Sequence, residues 1–217
     1  MTIDIAPIAR GTVRDAVRDA LRDLIISGGV DAEAPLRQDE LAARLNVSRT
    51  PLREALHALA SEGLVTIDPR RGAMVTKPTV QQLFDLYEIR EQLEVFAGRQ
   101  VAAIVELEHI DEIATINDRM AEVTDAVEWA QLNQQFHEAV YAPCPNVELV
   151  NLIAVLAARA KFYVRILVSS RPPAEGAVHE HQGMLDALRA RDPDAMEAAV
   201  RHHLRSTVEH VAPTLPE

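Results

Sequence analysis

Between Arg44 and Arg53 the chain carries three arginines and no acidic side chain until Glu54, and the stretch contains Ser48, Arg49 and Thr50 in a row. Hydroxyls and guanidiniums at the start of a helix bond phosphate oxygens or base edges in a major groove, and a helix N-terminus favours anions. Arg49 and Arg53, at i and i+4, share one helical face. Arg70 and Arg71 make a second basic pair, and Gly72 lets a turn close so that they reach an adjacent phosphate or the minor groove. Any one of these arginines alone reads more readily as a solubilising surface group. The combination of turn, cap, arginine pair and basic hairpin reads as a DNA-binding face.

Histidines make the second group. Asn133 and His137 stand at i and i+4 on one helical face, while His181 and His203 fall on later helices. Brought together in a bundle interior, one carboxamide oxygen and three imidazoles could hold a divalent metal such as zinc, nickel or manganese. Spacing alone does not bring them together. A lone buried histidine is more often a hydrogen-bonded core residue, and His57, His109, His179, His202 and His210 take that reading or a solvated one.

The elements that must position these groups can be read from periodicity. Residues 11–27 show Val13, Val17, Ala20, Leu21, Leu24 and Ile25 at helical spacing, with Arg/Asp pairs opposite and Gly28-Gly29 as the stop. A loop leads to Pro35. A short helix follows from Gln38 to Leu45, with Leu41, Ala42 and Leu45 inward, then a turn at Asn46-Val47. Ser48 is the expected N-cap of a third helix running to Glu62. Leu64–Ile67 and Ala73–Thr76 read as two strands around a turn at Asp68–Gly72. Helix, turn, helix and a hairpin with a basic tip make a winged helix-turn-helix.

Lys77-Pro78 reads as a boundary, giving a DNA-binding domain over 1–77 and an all-helical domain over 78–217. The second segment is expected to be helical throughout, at about 79–106, 109–124, 127–142, 147–169, 176–191 and 193–211. Leu83, Phe84, Leu86, Leu93, Phe96, Ala97 and Val101 supply the apolar faces of the first of these helices. Arg171-Pro172-Pro173 breaks the chain, and Asp192-Pro193 caps the last helix. The expected fold is mostly α: the winged domain plus an antiparallel six-helix bundle large enough to enclose a pocket.

Bulk properties agree. An apolar fraction of 48% and a charged fraction of 25% are those of a globular protein. The net charge of −11 disguises an asymmetry, because residues 1–77 balance 11 basic against 11 acidic groups and the excess acid lies beyond them. Local charge decides phosphate binding, so the first segment is free to bind DNA. The single cysteine, Cys144, excludes an intrachain disulfide and suits a reducing cytoplasm. Asp4 and Arg10 interrupt any secretory apolar region, and no run is long enough to span a bilayer.

Leu41 to Val75 closely resembles the DNA-binding domain of the GntR family of bacterial regulators. The residues that carry the likeness are Val47-Ser48-Arg49-Thr50-Pro51-Leu52-Arg53-Glu54-Ala55-Leu56, Glu62-Gly63-Leu64-Val65 and the Pro69–Gly72 tip. The resemblance implies a homodimer on a short palindromic operator in double-stranded DNA, with the third helix in the major groove. Two departures stand out: Ala32-Glu33-Ala34-Pro35 where the family usually has Pro-Gly, and Asp39 where some members carry a phosphate-contacting arginine.

In the second segment Glu88–Glu94, Leu132–His137, Glu180-His181-Gln182 and His203-Leu204 resemble the signature positions of the FadR-type C-terminal domain. Many such domains hold a metal on an acidic residue and three histidines, with a small organic acid against it. The resemblance therefore implies effector binding and dimerisation for the domain over 78–217, and a metal site at Asn133, His137, His181 and His203, with neutral Asn133 in the acidic position. The alternative is a metal-free pocket in which the histidines bind an anionic effector directly. Arg90 resembles the arginine such domains aim at the effector carboxylate, a task suited to a bidentate guanidinium; the competing reading is a salt bridge to Glu94 or Glu91. Lys161 and Arg165 are lesser candidates for that role, and Trp129 and Phe162 read as packing.

The expected function is a cytoplasmic, ligand-responsive regulator of bacterial metabolic genes, a repressor, sensing a small carboxylate and not an enzyme. A metal sensor is one alternative. A metallohydrolase is another, opposed by the lack of a general base placed beside the cluster.

Overall fold

The structure, a computed structural model, describes residues 13–170 and 175–215. Gly11, Thr12 and the break at Arg171-Pro172-Pro173, all singled out from the sequence, lie outside the described residues. The chain divides into two compact units between Lys77 and Pro78.

The first unit contains α1 (Val13–Ile26), α2 (Gln38–Leu45), α3 (Arg49–Ser61), β1 (Val65–Asp68) and β2 (Gly72–Val75). Val17, Leu21 and Ile25 of α1 are buried with Leu52, Ala55, Leu56 and Leu59 of α3, so the two apolar stripes make one small core. Asn46, in the left-handed region at φ 51°, ends α2 and turns the chain into α3. Only Ala42 of α2 is fully buried; Leu41 and Leu45, expected to point inward, are half-buried. Arg22 of α1 forks onto Glu62 just past α3, Nε donating to Oε2 at 2.8 Å and Nη2 to Oε1 at 2.5 Å, which ties down the far end of that helix.

β1 and β2 pair antiparallel, Val65 opposite Val75 and Asp68 opposite Gly72. The segment before α2, expected to be plain loop, joins them: the Leu36 N–H donates to Ala73 O at 2.8 Å and the Val75 N–H to Ala34 O at 3.0 Å. Main-chain pairing of this kind leaves no side-chain periodicity to read, because three residues are too few to alternate.

The second unit contains α4 (Val80–Ile104), α5 (Leu107–Glu122), α6 (Ala126–Tyr141), α7 (Val147–Ser170), α8 (Glu175–Ala190) and α9 (Pro193–Val211). Thr79 and Gln82 form a reciprocal capping box at the start of α4. Asp192 caps α9, accepting from the Asp194 and Ala195 N–H groups. α4 packs against α6, α7, α8 and α9, which makes it the spine of the bundle. Gly98 permits the approach to α9, since a Cβ there would lie 3.2 Å from Cγ of Met196.

The inward stripe of α4 is Leu83, Leu86, Tyr87, Arg90, Glu94, Ala97 and Val101. Phe84 and Phe96, counted above among its apolar faces, are instead 47% and 55% exposed. A 3.6-residue period that buries Leu83, Arg90 and Ala97 turns Phe96 to the far side and leaves Phe84 on the flank of the buried stripe. Among the described residues no helix is long and apolar enough to cross a membrane.

Candidate functional site

In the first unit, Ser48, Arg49, Thr50 and Arg53 are all exposed on the first turns of α3. Ser48 takes the N-cap position, but its hydroxyl makes no capping hydrogen bond, contrary to the expected cap. That leaves the hydroxyl and the first N–H groups of α3 available to an outside acceptor. Arg49 is not wholly free: its Nη2 lies 2.6 Å from Oδ1 of Asp39 on α2.

Arg70, Arg71 and Gly72 are exposed at the hairpin tip. Oδ1 of Asp68 accepts from the Arg70 N–H at 2.6 Å and the Arg71 N–H at 2.8 Å, which fixes the tip. Those two backbone bonds, Arg71 first, hold the Asp68 carboxyl below its usual range. Gly72 has φ 79°, the left-handed region that favours glycine.

In the second unit, α6, α8 and α9 bring His137, His181 and His203 together, with one nitrogen from each ring within 4.8 Å of the other two. All three are buried, with ring centroids 4.8 to 5.1 Å apart. Phe136 stacks flat on His181 at 3.9 Å and fixes the plane of that ring. Burial, with Coulombic repulsion from His203 whenever that ring is protonated, pushes the pKa of both His137 and His181 well below the usual imidazole range; Arg90 adds to the effect on His137. Those two rings are therefore neutral and keep a lone pair.

The tautomers follow from the partners. Nδ2 of Asn117 donates to Val178 O at 3.2 Å, so its Oδ1 faces Nδ1 of His181, also at 3.2 Å. An amide oxygen only accepts, so Nδ1 of His181 carries the proton and Nε2 carries the lone pair. Nδ1 of His203 lies 2.8 Å from Oε2 of Glu180, whose other oxygen accepts from Ser206. Burial raises the Glu180 pKa, but the bonds from His203 and Ser206 outweigh it and leave the carboxyl below its usual range. An ionised Glu180 only accepts, so His203 also presents Nε2.

Nε2 of His181 and Nδ1 of His137 are buried without a hydrogen-bond partner among the described residues. Buried orphans of this kind call for a ligand, and imidazoles oriented by a carboxylate and an amide are what metal sites use. Nitrogens bound at ~2.1 Å to a tetrahedral centre stand ~3.4 Å apart, so the rings would draw in by about an ångström. The donor set fits a divalent cation. Asn133 is buried one turn before His137 on α6, and its side chain bonds no described residue.

Arg90 and Glu94 form a buried ion pair, Nε donating to Oε1 at 2.7 Å, with the guanidinium 4.6 Å from the Tyr87 ring centroid. The Tyr141 hydroxyl donates to the other Glu94 oxygen at 3.0 Å. Burial works against the Arg90 charge, but Glu94 overcomes it and raises the pKa. Burial and Glu94 together push the Tyr141 phenol well up. Lys161 is half-buried on α7 and has interactions of its own; the side chains of Arg165 and Phe162 lie outside the described residues. Trp129 is core.

Sequence reasoning passed over Asn117, Tyr141 and the orienting role of Glu180. Glu180 precedes His181 directly and was within reach of a motif-based reading. Asn117 stands 64 residues from its partner, and no local pattern announces it.

Comparison with known proteins adds to this geometry. A family model described as bacterial regulatory proteins, gntR family, matches residues 13–75, and the FCD domain model matches residues 85–206. The chain is 32% identical to the probable D-xylose utilization operon transcriptional repressor of Paenarthrobacter nicotinovorans, covering 91% of this chain and 88% of that one. It is 30% identical to the HTH-type transcriptional repressor RspR of Escherichia coli, over 82% and 79% of the two chains. Among solved structures, E. coli McbR/YncC matches 94% of this chain and 99% of its own with a TM-score of 0.79. At 22% identity that last likeness speaks for the fold alone.

Proposed function

The chain belongs to the GntR family of bacterial transcription regulators and carries an FCD domain, and from that premise we propose that it represses metabolic genes in response to a small carboxylate held at its histidine cluster. It is a DNA-binding regulator and not an enzyme. The observation that carries the ligand-sensing reading is the pair of orphaned buried nitrogens on His137 and His181, two rings of a cluster in which one nitrogen from each of three imidazoles lies within 4.8 Å of the others.

His137, His181, His203 and Asn133 would hold a divalent cation of the zinc, nickel or manganese type. The cation would supply positive charge and an open coordination position for an effector oxygen. Asn117 and Glu180 keep the His181 and His203 lone pairs turned inward. Arg90 is close enough to the cluster to depress His137 electrostatically, and it receives the effector carboxylate while Glu94 steadies it. Phe136 packs His181 from behind and excludes water.

On the DNA side, Ser48, Arg49, Thr50 and Arg53 read an operator half-site in the major groove, and Arg70 and Arg71 at the Gly72 turn reach the flanking backbone. A palindromic operator requires two copies. α4 and α7 pack together, and both keep large apolar side chains exposed: Ile89 and Phe96 on one, Leu152 and Val155 on the other. A homodimer in the cytoplasm, joined through these helices, covers them. Effector binding then biases the placement of the two reading heads and so the operator affinity.

The test is fluorescence anisotropy of an operator duplex, selected from a randomised pool with the full chain, titrated with and without zinc and a panel of small hydroxy, sugar and dicarboxylic acids. At least one acid should weaken binding tenfold or more, as couplings of ~1–3 kcal/mol do, and His181→Ala should abolish the response. Responses that survive His181→Ala would place the effector elsewhere.

A further inference from the structure

Asp39 lies in the first turn of α2 and Arg49 is the first residue of α3, so their 2.6 Å ion pair bridges the two helices on the side that meets DNA in the reading above. Both side chains are largely exposed, 73% for Arg49 and 71% for Asp39. An ion pair so open to solvent adds little to folding. A carboxylate beside the DNA-facing arginines also repels phosphate and lowers backbone affinity. Arg44 and Arg53, on the same two helices, have no ion-pair partner among the described residues, so the pairing singles out one guanidinium. An acid in the first turn of α2 favours the helix dipole whichever way its side chain turns; its placement on Arg49 bears on what that arginine can read.

We propose that Asp39 is a positioning residue for base recognition: it holds the Arg49 guanidinium by one edge and presents the other to a guanine in the major groove. This rests on α3 being the reading helix. A guanidinium has five N–H donors in a rigid fork, and engaging one nitrogen leaves enough for a bidentate contact. Guanine offers the matching pair of acceptors, O6 and N7. A tethered arginine has already lost much of its rotamer freedom before DNA arrives. Untethered, it swings to the nearest phosphate, a contact without sequence information. Asp39 thus exchanges backbone affinity for discrimination.

Selection of the full-length chain and of Asp39→Ala, each from a randomised duplex pool, tests this. It is followed by anisotropy on the enriched duplex and on an unrelated one across a salt series. Asp39→Ala should lose the preference for guanine at one position of each half-site, and its specificity ratio should fall about tenfold. Non-specific binding should tighten, with the log–log salt slope steeper by about 0.9, because the freed Arg49 acquires a phosphate. In an Arg49→Ala background, Asp39→Ala should leave base preference unchanged. Asp39→Asn, which still offers an oxygen, should restore part of the preference. Equal tightening on both duplexes with the guanine preference intact would overturn the proposal, reducing Asp39 to a repulsive charge. Equal weakening with a lower melting temperature would also overturn it, making Asp39 a helix-stabilising residue. Should the unaltered chain enrich no sequence, the assignment of α3 as reading helix fails, and this proposal falls with it.

Discussion

Glu94→Leu removes the only carboxylate paired with Arg90 among the described residues and strands a cation that is 5% exposed. The Tyr141 hydroxyl loses its acceptor in the same step. Breaking a buried ion pair on one side costs about 3–5 kcal/mol, because the remaining charge keeps its desolvation penalty and loses its compensation. Trp129 is the chain's one tryptophan and is buried in the bundle, so its fluorescence follows that unit alone. With a urea slope of about 2 kcal/mol per molar, the midpoint should fall by about 1.5–2.5 M at fixed protein concentration. The double change Arg90→Met with Glu94→Leu should recover most of that loss, since an apolar pair replaces a buried ionic one at little cost. A midpoint drop below about 0.5 M, or a double variant as weak as the single, would refute the claim that Glu94 neutralises a desolvated Arg90.

His137 and His181 titrate below the ordinary imidazole range through burial, so the unfolded chain takes up protons before the folded one does. In chelator-treated protein the Trp129 midpoint should hold steady above about pH 6.5 and decline as pH falls below it; a flat profile from pH 7 to 5 would mean that the rings are solvated. Gly72→Ala meets open space but keeps φ at 79°, so strain rather than a clash should displace the hairpin tip and weaken operator binding by about fivefold, near 1 kcal/mol. The Trp129 transition should not move, which fluorescence melting checks. Phe96→Glu on the exposed side of α4 should convert a dimer to monomer in sedimentation velocity at micromolar concentration; an unchanged dimer would place the interface elsewhere.

Helix placement was legible because each stripe repeats: Val17, Leu21 and Ile25 in α1, and Leu52, Leu56 and Leu59 in α3, all prove buried. Periodicity marks a stripe without saying which of two apolar stripes turns inward. Phe84 and Phe96 were therefore miscounted, while polar Arg90 and Glu94 occupy the spine's buried face. The histidines became a candidate cluster only through family resemblance, and the structure draws His137, His181 and His203 together from three helices. Their orienting partners were not legible, because Asn117 reaches His181 across 64 residues with no repeat or motif linking them. The Asp39–Arg49 contact was half visible: the unusual acid stood out, but its partner depends on how α2 crosses α3.

The most direct test of the histidine site is the metal content of protein purified without chelator or affinity-tag metal, read by elemental mass spectrometry beside the His181→Ala, His203→Ala double variant. One zinc, nickel or manganese ion per chain, lost in the double variant, is the predicted result. Near-zero metal after all three ions have been supplied, or metal that persists in the double variant, would contradict it.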